Sequence, residues 1–279
     1  MMKHVGMALF VYCALLISTF ASTAHAADNA VFDRVLSSKT LRCGYTVNPL
    51  LLEKDPNTGA FSGIFHDFTQ EIANQLGLKV EWVYEVGSDM IFEGLRSGRY
   101  DAVCSGYGLT PTRTLGGDFT RPMVYLGISA YIRADDTRFK TRDDLNKPEF
   151  TVVTTDGEFS QITAKKSFGS AKELSLQGLT SCAERMETVI TRKGDFTISE
   201  PLCAISYMKK NPGKIKQMGD PISVVGGAII IPHREQALKN MMDVTIESLL
   251  NDGTLEQIIS KYTADKGAII APAKPYQTQ

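Results

Sequence analysis

Asp101-Ala102-Val103-Cys104-Ser105-Gly106-Tyr107-Gly108-Leu109-Thr110-Pro111-Thr112-Arg113 is the stretch that decides the fold. Residues 101–105 read as a buried strand, and Ser105, Gly106, Tyr107 and Gly108 as a loop behind it. Thr110 then caps and Pro111 opens a short helix. A strand feeding a loop and a helix start is the unit of an α/β sheet, and ligands of such sheets bind beyond the carboxyl ends of the strands. Arg113 stands at that edge. A guanidinium there offers paired donors to a carboxylate, and the free N–H groups of the helix start add positive potential. The alternative is a surface arginine paired with Asp118. Gly106 and Gly108 either let backbone approach a ligand or simply form the turn; Pro111 stands where a dinucleotide fingerprint needs its third glycine.

Upstream, Leu41-Arg42-Cys43-Gly44-Tyr45 forms a strand, and Phe65, Phe68, Ile72 and Leu76 recur at helical spacing until Gly77 stops them. Leu78, Val80 and Trp82 alternate with polar residues as a second strand. Ser88 is placed to cap a helix carrying Ile91 and Leu95, which Gly98 ends. With the strand at 101–105 this makes a βαβαβ unit with right-handed crossovers. Downstream the pattern restarts. Residues 150–154 form a strand and a helix follows Gly157. Ser181-x-x-Glu184 is a capping box for a helix with Met186, Val189 and Ile190 that Gly194 stops. Residues 195–199 form a strand, and Pro201 begins a helix that Asn211-Pro212-Gly213 ends. Two α/β lobes result. Residues 224–231 are strand-like, two helices carrying Leu238 to Tyr262 close the fold, and the Ala/Pro/Lys-rich end from 264 frays.

The first 26 residues read differently. Lys3, an apolar run from Val5 to Phe20 and Ala24-His25-Ala26 have the order of a secretory signal peptide. Cleavage after Ala26 removes one cation, Cys13, His4 and His25, and leaves 253 residues with 29 basic and 31 acidic groups. A chain of that charge is not a nucleic-acid binder. With only His66 and His233 left, histidine metal sites and histidine-based triads are disfavoured, and His66-Asp67 reads as a helix start rather than a catalytic pair. No metal or other cofactor is expected. Four cysteines in an exported chain permit disulfides. Cys182 and Cys203 lie near the starts of neighbouring helices and are expected to be bridged, whereas Cys43 and Cys104 on adjacent strands either pair or fill the core.

Phrases spread along the chain are similar to the family 3 extracellular solute-binding proteins, the polar-amino-acid receptors of ABC importers. They are Leu41-Arg42-Cys43-Gly44-Tyr45, Phe61-Ser62-Gly63-Ile64-Phe65-His66-Asp67-Phe68, Gly94-Leu95-Arg96-Ser97-Gly98-Arg99-Tyr100-Asp101-Ala102, Leu109-Thr110-Pro111-Thr112-Arg113, Asp118-Phe119-Thr120-Arg121-Pro122 and Leu250-Asn251-Asp252-Gly253-Thr254-Leu255. The resemblance implies a two-lobed periplasmic-binding-protein fold of type II, with two hinge crossings and the ligand in the cleft between lobes. The expected boundaries are a signal peptide at 1–26, lobe one at 27–128 and 228–265, lobe two at 129–227, and a tail at 266–279. The chain leaves lobe one near 127–133 and returns near 224–228.

By the same resemblance Arg113 holds a ligand's α-carboxylate and Glu200 its α-ammonium; the alternative for Glu200 is a first-turn helix acid. The position of Gly108 usually carries a hydroxyl in the family. Asp156-Gly157-Glu158-Phe159-Ser160 replaces a Gly-Thr-Thr type turn, so Glu158 either turns outward as a helix-start acid or faces a cationic part of the ligand, with Phe159 beside it. Asn48-Pro49-Leu50 replaces an aromatic residue before the proline, which leaves Tyr45, Phe65 and Tyr107 to line the cleft or to fill core. The implied function is a monomeric periplasmic receptor, not an enzyme, that hands a small carboxylate-bearing solute, an amino acid or a derivative, to an inner-membrane ABC permease. The alternatives are a dehydratase of the cyclohexadienyl type, whose fold is similar and for which Glu158, Asp195 or Glu200 would supply the acid, and a sensory receptor docking on a chemoreceptor or kinase.

Overall fold

The computed structural model describes residues 28–262 and 269–274; the expected signal peptide lies outside the described residues. In chain order the strands are β1 (Thr40–Tyr45), β2 (Glu53–Lys54), β3 (Phe61–Ser62), β4 (Lys79–Glu85), β5 (Ala102–Gly108), β6 (Asp118–Phe119), β7 (Val124–Arg133), β8 (Thr151–Thr155), β9 (Lys172–Leu176), β10 (Phe196–Ser199), β11 (Ile215–Ile231) and β12 (Ile269–Ile270). The α-helices are α1 (Ala30–Ser38), α2 (Ile64–Leu76), α3 (Ile91–Arg96), α4 (Phe159–Ser167), α5 (Cys182–Ile190), α6 (Pro201–Lys210), α7 (Gln236–Asn251) and α8 (Thr254–Tyr262).

The main sheet runs β4-β1-β5-β11-β7-β10-β8-β9. Its two ends are parallel, β4-β1-β5 and β10-β8-β9, as βαβ units require. Between them lie the two long strands β7 and β11, antiparallel to each other from Val124 opposite Gly227 to Arg133 opposite Ile215. β11 pairs with β5 at one end and β7 with β10 at the other, so both strands pass from one end unit to the other. The pairing slips between Met218 and Ser223, next to Ile128.

Buried side chains separate along these two strands. Leu126 packs with Phe65, Phe68, Ile72, Leu238 and Ile246 in one core, and the neighbouring inward position, Ile128, packs with Val152, Phe168 and Phe196 in another. A third cluster around Tyr100, Val103 and Ile230 covers the other face of β5, and a fourth around Tyr131, Met186 and Tyr207 covers the other face of β10. The molecule is therefore α/β with two lobes joined by β7 and β11.

Several local expectations change. β5 does not stop at Ser105: Tyr107 and Gly108 pair with Ala228 and Gly227, because the returning chain supplies a partner strand for what reads locally as a loop. β11 begins nine residues before Val224; its first half is polar and exposed, so no apolar alternation marks it. β9, which is also mostly polar, carries no strand pattern. Ser88 does not cap α3, whose N-cap is Met90. α5 ends at Ile190, four residues before Gly194, with Arg192 in the left-handed region. Part of the expected tail is paired: Ile269 and Ile270 lie antiparallel to Leu126 and Tyr125, with Ile269 buried. Ahead of β1, α1 is held by Glu235, whose carboxylate accepts the Val31 and Phe32 N–H groups at 2.9 and 3.0 Å.

Candidate functional site

The lobes meet around a cavity. Ser88 N–H donates to the Gly178 carbonyl at 3.0 Å, and the Arg113 Nη2 group donates to the Gly157 carbonyl at 3.0 Å, each bond running from one lobe to the other. A Cβ on Gly157 would stand 2.7 Å from Asp89 Cα, so the backbones touch there. The space behind these contacts comes to about 560 Å³ when its opening to solvent is included. Asn48, Leu51, Ser88, Gly106, Tyr107, Gly108, Arg113 and Leu126 line it from one side. Ile128, Glu158, Phe159, Cys182, Arg185 and Glu200 line it from the other, and Val225 and Gly227 of β11 close it between them.

On the lobe-one side the guanidinium of Arg113 is the organising group. Its backbone N–H bonds to Thr110 Oγ1 at 3.4 Å and it opens a single 3₁₀ turn, Arg113–Leu115. The side chain is 3% exposed, donates from Nη1 to the Gly108 carbonyl at 3.1 Å, and lies 5.1 Å from the Tyr107 ring centroid. Its Nε has no partner in the protein, and a buried donor without a partner is an invitation to an acceptor. Burial pushes the Arg113 pKa below its ordinary value, against Tyr107 and Glu158, which raise it; a guanidinium remains charged all the same. Asp118 is not its partner: that carboxylate pairs with His233 at 2.9 Å. Tyr107 is tied by its hydroxyl to Thr46 and Ser88, and burial raises its pKa, so it faces the cavity as a neutral ring.

Gly106 has φ +80°, and a Cβ on it would stand 2.2 Å from the Phe65 ring. No other residue fits, and the position joins a turn-like backbone conformation to a close approach to the core. Phe65 itself is fully buried under Gly106 and packs in the lobe-one core, so it supports the cavity floor instead of lining it. Tyr45 is likewise core, edge-on to Phe61 and Trp82. Ser105 is buried and spends its hydroxyl accepting the Thr46 N–H at 3.1 Å. These three residues stand outside the cavity lining: Ser105 lies within β5, whereas Tyr45 at the end of β1 and Phe65 on α2 turn into the lobe-one packing.

On the lobe-two side every polar group belongs to a helix start. Glu158 is the N-cap of α4, accepting from Ser160 N–H at 3.4 Å and from the Ser160 hydroxyl. It fills the helix-start role while lining the cavity, so it does not turn outward. Arg185 of α5 reaches it at 3.0 Å and donates to Thr155 Oγ1 at 3.0 Å. Arg185, 3% exposed with an unpartnered Nε, is the cavity residue that sequence reasoning missed. The available signal is its register: three residues after Cys182 and four before Val189, it shares the buried stripe of α5 and not the solvent face. Glu200 is the N-cap of α6, with both carboxylate oxygens 3.1 Å from Cys203 N–H. It therefore fills the helix-acid role and lines the cavity as well. Burial pushes its pKa up to about 7, opposed by the N–H groups of Cys203 and Leu202. Cys182 and Cys203 are bridged beside it, and Cys43 and Cys104 form a second disulfide between β1 and β5.

The arrangement offers a cation at one wall, an acid at the opposite wall and apolar surface between them, which is the complement of a small zwitterion. No histidine is among the described residues that line the cavity. Residues 41–265 match the family model of bacterial extracellular solute-binding proteins, family 3. A probable amino-acid ABC transporter-binding protein of Haemophilus influenzae is 28% identical over 88% of this chain and 91% of its own length. The solved structure of an ancestral arginine-binding protein bound to arginine superposes with TM-score 0.73 at 26% identity, covering 81% of this chain and 99% of that one. A cyclohexadienyl dehydratase of Pseudomonas aeruginosa is 21% identical over 86% of this chain and 89% of its own length. The chain belongs to the bacterial extracellular solute-binding proteins of family 3.

Proposed function

We propose that the protein is a periplasmic receptor that captures an amino acid, or a close derivative, between its lobes and delivers it to an inner-membrane ABC permease. The observation that carries the reading is the pair of opposed groups in the cavity. Arg113 is buried with an unpartnered Nε on lobe one, and Glu200 faces the same space from lobe two. In this reading Arg113 takes the α-carboxylate by charge-assisted hydrogen bonds and Glu200 takes the α-ammonium. Gly106 and Gly108 keep that wall free of side chains, and Asn48, Phe159 and Val225 complete the enclosure. A ligand that bridges both walls stabilises the closed arrangement over any open one, because only the closed cleft supplies both contacts.

Residues 1–26 serve as the export signal, and the mature chain works as a monomer in the periplasm. At a hundredfold excess over its dissociation constant the correct ligand stabilises the fold by about 3 kcal/mol. A thermal-shift screen of amino acids and amines on intact, ligand-stripped protein tests this, and a flat response across the whole library would end the amino-acid reading. One observation favours a second reading: Glu200 is buried with a pKa of about 7, the property of a general acid. A dehydration assay with a cyclohexadienyl substrate separates the two, since a receptor binds without turnover.

A further inference from the structure

We propose that the cavity selects an α-amino acid whose side chain carries no charge, and that Glu158 is the residue that enforces the choice by neutralising Arg185. The proposal rests on the amino-acid reading given above. Among the described residues lining the cavity, the charged side chains are two guanidiniums, Arg113 and Arg185, and two carboxylates, Glu158 and Glu200. A bound zwitterion uses Arg113 and Glu200, one for each of its charges. The remaining two groups are paired with each other at 3.0 Å, so their charges balance.

The charge of Glu158 is already balanced by the Arg185 guanidinium. Its carboxylate holds Arg185, the Ser160 N–H and the Ser160 hydroxyl at once. With a zwitterion bound, the space holds three cations (Arg113, Arg185 and the α-ammonium) and three anions (Glu158, Glu200 and the α-carboxylate). A lysine-like or arginine-like side chain would bring a fourth cation, and an aspartate-like or glutamate-like side chain a fourth anion. Either charge loses its hydration without gaining a counter-ion, which disfavours binding strongly. The surface left for a side chain is apolar: Leu51, Leu126, Ile128, Phe159 and Val225. The sequence position that would repel a carboxylate is thus made harmless by an arginine from another helix, and the pair becomes a filter on the ligand's net charge.

The reciprocal substitutions give the test. In Glu158→Gln, Arg185 loses its counter-ion and the cavity gains a net positive charge. In Arg185→Gln, Glu158 loses its partner and the cavity gains a net negative charge. Binding of a panel containing alanine, valine, glutamine, aspartate, glutamate, lysine and arginine is measured by calorimetry on ligand-stripped wild type and both variants. Wild type is expected to bind its best uncharged member at least a hundredfold more tightly than any charged one. Glu158→Gln should shift the preference toward the acidic members, and Arg185→Gln toward the basic members, each by at least tenfold relative to the best uncharged ligand. If an acidic or basic amino acid is the tightest ligand of wild type, the inference is overturned while the amino-acid reading stands. If no member binds, that reading falls and the inference with it. Should either variant fail to fold, the wild-type panel decides alone.

Discussion

The two walls of the cleft are built on different principles. Lobe one presents Arg113, Gly106, Gly108 and Tyr107 from the end of one strand and the turn after it, and their positions are fixed by backbone: carbonyl acceptors for Arg113, ladder pairing to β11 for the glycines, and hydroxyl bonds for Tyr107. Lobe two presents Glu158, Arg185 and Glu200 from the starts of three helices, and the two acids also cap those helices. Under the proposed function Arg113 serves the ligand, and it caps no helix, bonding instead to the Gly108 and Gly157 carbonyls. The acids on lobe two hold their own helices as well, so their removal must cost both affinity and stability.

Substitutions that separate affinity from stability test this contrast. The largest effect is expected for Arg113→Ala, which should weaken ligand binding by a hundredfold or more, about 3 kcal/mol, as loss of a buried charge partner typically does. Its melting temperature without ligand should change far less than a lobe-two lesion of equal effect on binding; an equal loss of both would break the distinction between the walls. Next come the disulfides. The loops they close, 61 and 21 residues apart in sequence, correspond to about 4 kcal/mol for Cys43–Cys104 and about 3 kcal/mol for Cys182–Cys203. Replacing each pair by serine and measuring denaturation and ligand affinity should show affinity loss for the lobe-two pair above all, because that bridge joins the helix starts that carry Arg185 and Glu200.

Glu200 sharpens the comparison through pH. Its folded pKa of about 7 lies above the ordinary 4.5, so the folded protein holds a proton there that the unfolded chain releases. Ligand-free stability therefore falls as pH rises from about 4.5 to 7 and levels off above, the reverse of a salt-bridged carboxylate. Affinity for an ammonium-bearing ligand changes the other way. It needs the ionised acid and should drop by about fivefold between pH 7 and pH 6, in proportion to the ionised fraction. Glu200→Gln should abolish both slopes, which pH-dependent denaturation and calorimetry would detect. The smallest effect is expected at Ser181, which exchanges bonds with Glu184 in an exposed capping box and does not itself line the cavity. Ser181→Ala should lower stability by about 1 kcal/mol and leave affinity unchanged.

Arg113, Gly106, Tyr107 and Gly108 on lobe one and Glu158, Phe159 and Glu200 on lobe two were legible as cavity residues, and Arg185 was not, for a physical reason. Arg113 could be placed because local punctuation does the work: a buried strand, two glycines, and Thr110-Pro111 ahead of it. The helix boundaries set by Gly77, by the Ser181 box and by Pro201 were legible for the same reason, since caps are encoded within four residues. Tertiary pairing was what escaped. Whether residues 106–108 are loop or strand depends on Gly227 and Ala228, more than a hundred positions later. The meaning of Glu158 depends on Arg185, which looks like one charged residue among several on an amphipathic helix. Tyr45 and Phe65 were ambiguous because an aromatic near a cleft and an aromatic in a core obey the same spacing; burial alone distinguished them.

The central claim is that a zwitterion is held at its two ends, its carboxylate by Arg113 and its ammonium by Glu200. The direct test takes the tightest amino-acid ligand and titrates three forms of it into the same protein: the free amino acid, its α-carboxamide and its N-acetyl derivative. The account predicts saturable one-to-one binding of the free amino acid and a loss of at least a hundredfold for each blocked form. Equal binding of the carboxamide or the N-acetyl derivative would contradict it.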